Sequence, residues 1–192
     1  MVSKRKAVEA RAQWDDQVRL WATNAGRVLA LDLYHGRHTA TRPYAVGVVL
    51  DRDETALSEV PVRFNRDWPA PLGPGQRIVM PAIRPWLVTS GRVVGRLADQ
   101  NLYGYRWEKM VGARVDLTPG HETLAVDIDG ERPLEWSGAG LAPMAVAAVF
   151  HLYGPAAMIE HPGLAPLRPG EARRQTTPMT DANLDPAPSS PA

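Results

Sequence analysis

Apolar residues change their spacing along this chain, and each change marks a different element. From Lys6 to Leu33 there is no Pro and a single Gly26, and Trp14, Val18, Trp21, Ala25 and Val28 follow a 4-3-4-3 spacing. That spacing predicts an amphipathic helix with these five side chains in one narrow stripe, widened by Leu20, Leu29, Leu31 and Leu33. Beyond Pro85 the period is two. Trp86–Thr89 and Arg92–Leu97 flank Ser90-Gly91; Tyr103, Tyr105 and Trp107 alternate, as do Val111, Ala113, Val115 and Leu117. Leu124, Val126 and Ile128 alternate again, and Leu134 with Trp136 follow the turn Asp129-Gly130. Each set belongs on one face of a strand, and the turns between them predict consecutive antiparallel neighbours. After Leu141 a helical period returns through Ala145, Ala148, Val149 and Leu152, with Pro143 in the first turn and Gly154-Pro155 at the end. Val146, Phe150 and Tyr153 broaden this apolar side, so the helix should be buried over an open side of the sheet.

The intervening segments are less regular. His35 to Pro43 reads as a loop, and Tyr44–Leu50 and Val60–Phe64 read as strands around the acidic turn 51–54. Trp68 to Gly75 holds three Pro and two Gly in eight residues, which demands a loop. Gln76–Met80 reads as a short strand, and a second short helix is expected near 155–160. From Pro169 the chain is rich in Pro, Ala, Ser and Thr, a composition that predicts disorder. The expected organisation is therefore a basic arm, amphipathic helix and loop over 1–43, a strand-rich domain with its helices over 44–168, and a tail over 169–192.

Composition narrows the chemistry. With 192 residues and no Cys, disulfides, thiolate metal sites and cysteine nucleophiles are all excluded. No apolar run follows the basic start Lys4-Arg5-Lys6, which argues against a secretory leader, and Leu141–Phe150 is short of the ~20 residues that span a bilayer. The expected compartment is cytoplasmic, with a peripheral position at the inner membrane face as an extension. Net charge is +1, yet residues 1–42 carry eight Lys/Arg against four acids. Such an arm could approach nucleic acid or anionic lipid, or serve as a solvated, solubilising arm.

Several motifs resemble a known family. Leu87-Val88-Thr89-Ser90-Gly91-Arg92-Val93 resembles the hydrophobic-Thr-turn-Arg-hydrophobic hairpin of the pleckstrin-homology (PH) superfamily. Tyr105 to Ala113 resembles its strand leading to a Val-Gly-Val step, and Asp129-Gly130 with Leu134-Glu135-Trp136 resembles its last turn and strand before the helix. The likeness covers Tyr44–Tyr153 and is similar to the bacterial, GRAM-like branch; the stretch His161–Arg168 is similar to one in actinobacterial proteins. The resemblance implies a mainly β fold with α, a PH-like barrel of two antiparallel sheets capped by a C-terminal helix, here with an added N-terminal amphipathic helix.

Candidate sites follow from charge and from the stripe. Residues 77–114 hold seven Lys/Arg against two acids, and in PH-like domains that bind phosphoinositides basic residues on the first hairpins gather the phosphates. Arg92, Arg96 and Arg106 are the candidate anionic site. Trp14, Val18 and Trp21 are the candidate surface for a protein partner or for self-association into a homo-oligomer. His35 and His38 have chelating spacing without a third ligand, so no metal and no cofactor is expected. No Ser lies in a nucleophile elbow, and Asp127 and Asp129 fit a solvent-facing strand side, so no catalytic residue is named. No helix-turn-helix, zinc finger or RNA-binding signature accompanies the basic arm. The expected function is a non-enzymatic binding or scaffold module for a protein partner or an anionic membrane surface. The alternatives are a small hydrolase or isomerase, and nucleic-acid binding through the arm.

Overall fold

The computed structural model describes residues 4–40, 47–65, 82–97 and 100–169. The expected loop at 68–75, the strand at Gln76–Met80, the Tyr44–Val46 part of another strand and the tail beyond Pro169 lie outside these residues. The elements are α1 (Lys4–Tyr34), β1 (Ala56–Asn65), β2 (Arg84–Thr89), β3 (Arg92–Arg96), β4 (Leu102–Arg106), β5 (Met110–Asp116), β6 (Thr123–Ile128), β7 (Leu134–Ser137) and α2 (Ala142–Glu160). Short 3₁₀ turns, Trp107–Lys109 and Pro162–Leu167, link β4 to β5 and follow α2.

All strands pair antiparallel in the order β4-β3-β2-β1-β7-β6-β5. β1 serves two partners: residues up to Val62 pair with β2, and Arg63–Asn65 pair with β7. Pro61 stands opposite Pro85 just before that exchange. Neither has an N–H to give, so the ladder is thinned where the sheet divides. One sequence expectation fails here, because β4 and β5 are consecutive yet do not pair. They are the two edges, and the turn Trp107–Lys109 carries the chain from one to the other.

Alternation put the right side chains inside. Trp86, Trp136, Val60, Val62, Leu124 and Leu134 are buried, and Phe64 packs with ring centroids 4.8 Å from Trp86 and 5.1 Å from Trp136. Trp86 leaves no room opposite it: a Cβ on its pair partner Gly95 would lie 2.3 Å from the indole. Val111 departs from the expected alternation. A bulge between Met110 and Gly112 turns Met110 inward and leaves Val111 63% exposed. Residues 47–50 form no strand either. Val48 and Leu50 instead pack on Ala56 and Leu87, the outer side of the sheet.

α2 closes the gap between the edge strands. Its Ala142–Val149 stretch is buried, the His151 ring stacks on Trp107 at 5.2 Å, and the Tyr153 hydroxyl accepts from Ala113 N–H at 2.8 Å. Gly163 follows against the same edge, where a Cβ would sit 2.2 Å from the Val115 carbonyl oxygen. Tyr153 and the 3₁₀ turn thus cover β5, which would otherwise offer open backbone groups. At Gly154 (φ 82°) α2 breaks and Pro155 restarts it, giving the expected second short helix. Among the described residues α2 is also the one helix long and apolar enough to cross a membrane; here half of it is buried in the core.

α1 lies on its own domain through Ala22, Gly26, Leu29 and Leu33. The stripe Trp14, Val18, Trp21, Ala25, Val28 is offset by about one residue, or ~100° of helix, from the side that packs. Small residues decide the contact: a Cβ at Gly26 would lie 3.2 Å from the Ala142 Cβ. Arg27 Nε donates to the Leu167 carbonyl at 2.7 Å, and Arg19 pairs with the buried Glu122 carboxylate, pinning the helix at two further points.

Candidate binding surfaces

The hairpin β2–β3 and strand β4 carry the three candidate arginines. Arg92 and Arg106 are cross-strand partners, and Arg96 lies on the same side of β3, four residues on. That side is the outer one, crossed by the 47–55 segment. Arg92 turns into it: Nε and Nη2 each donate to Glu54 at 2.9 Å, and Nη2 also reaches the Val49 carbonyl at 3.1 Å. Thr89 donates to the same carboxylate while its hydroxyl accepts the Arg92 N–H. Burial alone would raise the Glu54 carboxyl, but hydrogen bonds from Arg92 and Thr89 and from the Asp51 amide outweigh it and hold it below the usual carboxylate range. The bond to Glu54 in turn raises Arg92. Arg106 meets Asp51 at 3.1 Å, and Arg96 donates to the Gln100 carbonyl at 2.9 Å. Two of the three cations therefore clasp the 47–55 segment onto the sheet. Arg106 remains 51% exposed at its side chain, whereas Arg92 is 20% exposed.

A second surface runs along α1. Trp14 and Trp21 are 41% and 45% exposed, and Val28 59%. Val18 and Ala25 are half-buried beside them. The whole stripe forms one wall of a cleft against β1 and β2. Its apolar part, of about 710 Å³, lies between Trp21, Ala25 and Val28 on the helix and Leu57, Pro61 and Pro85 on the sheet. Its polar part, of about 350 Å³, lies between Trp14 and Val18 and the side chains of Arg63, Glu135 and His121. Asp15 answers Arg11 and Asp32 answers Arg37 along the rim. Hydrogen bonds from Thr39, then Arg37, lower the Asp32 carboxyl. The stripe was legible in the sequence; its cleft was not, since Arg63, Glu135, His121 and the opposed prolines come from segments with no shared motif.

Asp127 bonds Arg114 on the outer side of β5 and β6, and no set of three or more His, Asp and Glu side chains gathers for a metal among the described residues.

Seven antiparallel strands in this order, with a helix after the last one covering the gap between the edges, define a PH-like fold. No family model matches the chain, and no curated protein does. Solved structures similar to it include the N-terminal PH domain of Vps36, at 12% identity and a TM-score of 0.41, over 59% of this chain and 91% of that one. The PH-like assignment rests on strand order and the capping helix rather than on this overlap.

Proposed function

We propose that the protein is a non-enzymatic binding or scaffold module that works through polypeptide contacts along α1. The observation that carries this reading is the exposed Trp14–Val28 stripe above an open, largely apolar cleft. Two solvent-facing indoles on one helix side are an unusual exposure of apolar surface, and aromatic side chains of this kind anchor protein interfaces. We place the module in the cytoplasm, in the bacterial GRAM-like branch suggested by its hairpin and Val-Gly-Ala motifs.

A second reading retains an anionic surface at Arg96 and Arg106, favoured by the exposure of Arg106. Flotation with phosphatidylserine vesicles across salt separates the two. We expect no salt-sensitive binding, and Arg92→Ala should act on folding instead, loosening the 47–55 segment by stranding Glu54, at a cost of about 3 kcal/mol. A photo-cross-linking residue at Ala25 or Pro85 should capture a polypeptide, and one at Arg96 should not. Vesicle binding lost in Arg96→Ala/Arg106→Ala, with no capture at the cleft, would sink the polypeptide reading.

A further inference from the structure

We propose that the free edge of β4 pairs with the same strand of a second copy, antiparallel about Gly104. This surface is separate from the α1 cleft and does not depend on it.

The register of β3 and β4 decides where the backbone groups of β4 point. Their pairing runs without a bulge from Arg92 opposite Arg106 to Arg96 opposite Leu102. It continues at both ends, where Trp107 N–H donates to the Gly91 carbonyl at 3.2 Å and Leu97 N–H to the Asn101 carbonyl at 3.3 Å. Along an antiparallel ladder, hydrogen-bonded pairs alternate with non-hydrogen-bonded ones. Both end pairs are bonded, so Val93 with Tyr105 and Gly95 with Tyr103 are bonded too. Leu102, Gly104 and Arg106 therefore turn their N–H groups away from β3, and Leu102 and Gly104 turn their carbonyls the same way. Among the described residues no turn, loop or side chain bonds these groups.

The opposite edge of the sheet is treated differently. Tyr153 and Gly163 lie against β5, and no such contact is made to the β4 edge among the described residues. Nor does β4 carry the usual safeguards of an open edge, since it has no Pro, no Lys and no bulge.

What this edge matches is itself. Residues 102–106 read Leu-Tyr-Gly-Tyr-Arg, and about Gly104 the Tyr-Gly-Tyr centre is the same in both directions. A two-fold axis at Gly104 brings the outward groups of one copy onto those of the other. The two Gly104 residues exchange both of their bonds, and each Arg106 N–H reaches the partner's Leu102 carbonyl. Each Leu102, 44% exposed, lies beside the aliphatic stem of the partner's Arg106, so the sole cation of the strand never faces itself.

The test uses the full chain, which has no Cys of its own. Sedimentation at about 100 micromolar should show a dimer, because a single strand pair is a small interface. Gly104→Cys should form an intersubunit disulfide on mild oxidation, since opposed Cα atoms of a bonded pair lie about 5.5 Å apart. Leu102→Cys alone should not, since its two copies stand about 14 Å apart along the ladder, whereas Leu102→Cys mixed with Arg106→Cys should cross-link. Gly104→Pro removes the outward N–H and leaves the bonds to β3 in place, and it should weaken association at least about tenfold. Gly104→Ala, whose Cβ would sit in ordinary contact 3.6 Å from Val94, should keep it. A monomer at every concentration, a dimer unchanged by Gly104→Pro, or Leu102→Cys alone cross-linking as fast as Gly104→Cys would overturn the proposal.

Discussion

His151 is held in an unusual state for an imidazole. Its ring lies flat on Trp107, Phe150 meets it edge-on, and its Nε2 is buried with no partner. Burial, with a smaller contribution from the charge of His38, leaves its pKa pushed down to about 4. Between that value and the ordinary 6.5 the unfolded chain binds a proton that the folded chain refuses, so stability falls as pH drops through this window. Denaturant titrations of His151→Phe should lose about 2 kcal/mol of that slope between pH 6.5 and pH 4, while keeping their stability at pH 7. An unchanged slope would show that His151 does not govern it. At this scale the sequence was only half legible. A basic cluster was visible in it, but the acid that occupies Arg92 is Glu54, on a segment that reads as a turn after a strand. An ion pair formed through tertiary folding leaves no local signature.

Elements were easier to read than their orientation. Period-two and helical runs located the strands from Trp86 onward and both helices, because alternation and 3.6-residue spacing are set by the backbone itself. Which side of α1 faces its own domain was not legible. Hydropathy favoured the tryptophans, whereas packing selected Ala22 and Gly26, the residues that let α1 approach α2 closely. Gly26→Val should therefore undock the helix, costing about 2 kcal/mol, with amide exchange accelerated over Ala22–Leu33 and little changed in the strands. Protection that persisted over Ala22–Leu33 would argue against this contact as the hold on α1. Val111 illustrates the other limit, since a bulge of one residue reverses the expected side and period counting assumes none.

On the scale of the molecule, the fold class was legible because a β meander followed by an apolar helix has few ways to close. The ladder order was not, since nothing local declares that the first and last strands meet. That meeting has a kinetic consequence. β2–β3–β4 and β5–β6–β7 are each built from neighbours in the chain, while β1 must wait for distant partners on both sides. Contacts between far-separated residues form late because a long loop must first be closed. Pulse-labelled exchange during refolding should protect β3 and β6 before Arg63–Asn65 of β1; the reverse order would refute it. The same arrangement sets a schedule for synthesis. A growing chain cannot complete the sheet until Ser137 has been made, and until β7 is in place Phe64 lacks Trp136, one of its three aromatic neighbours. Throughout that interval the nascent chain exposes the apolar interior of its future core, which makes the period before β7 emerges the one in which a chaperone would matter most.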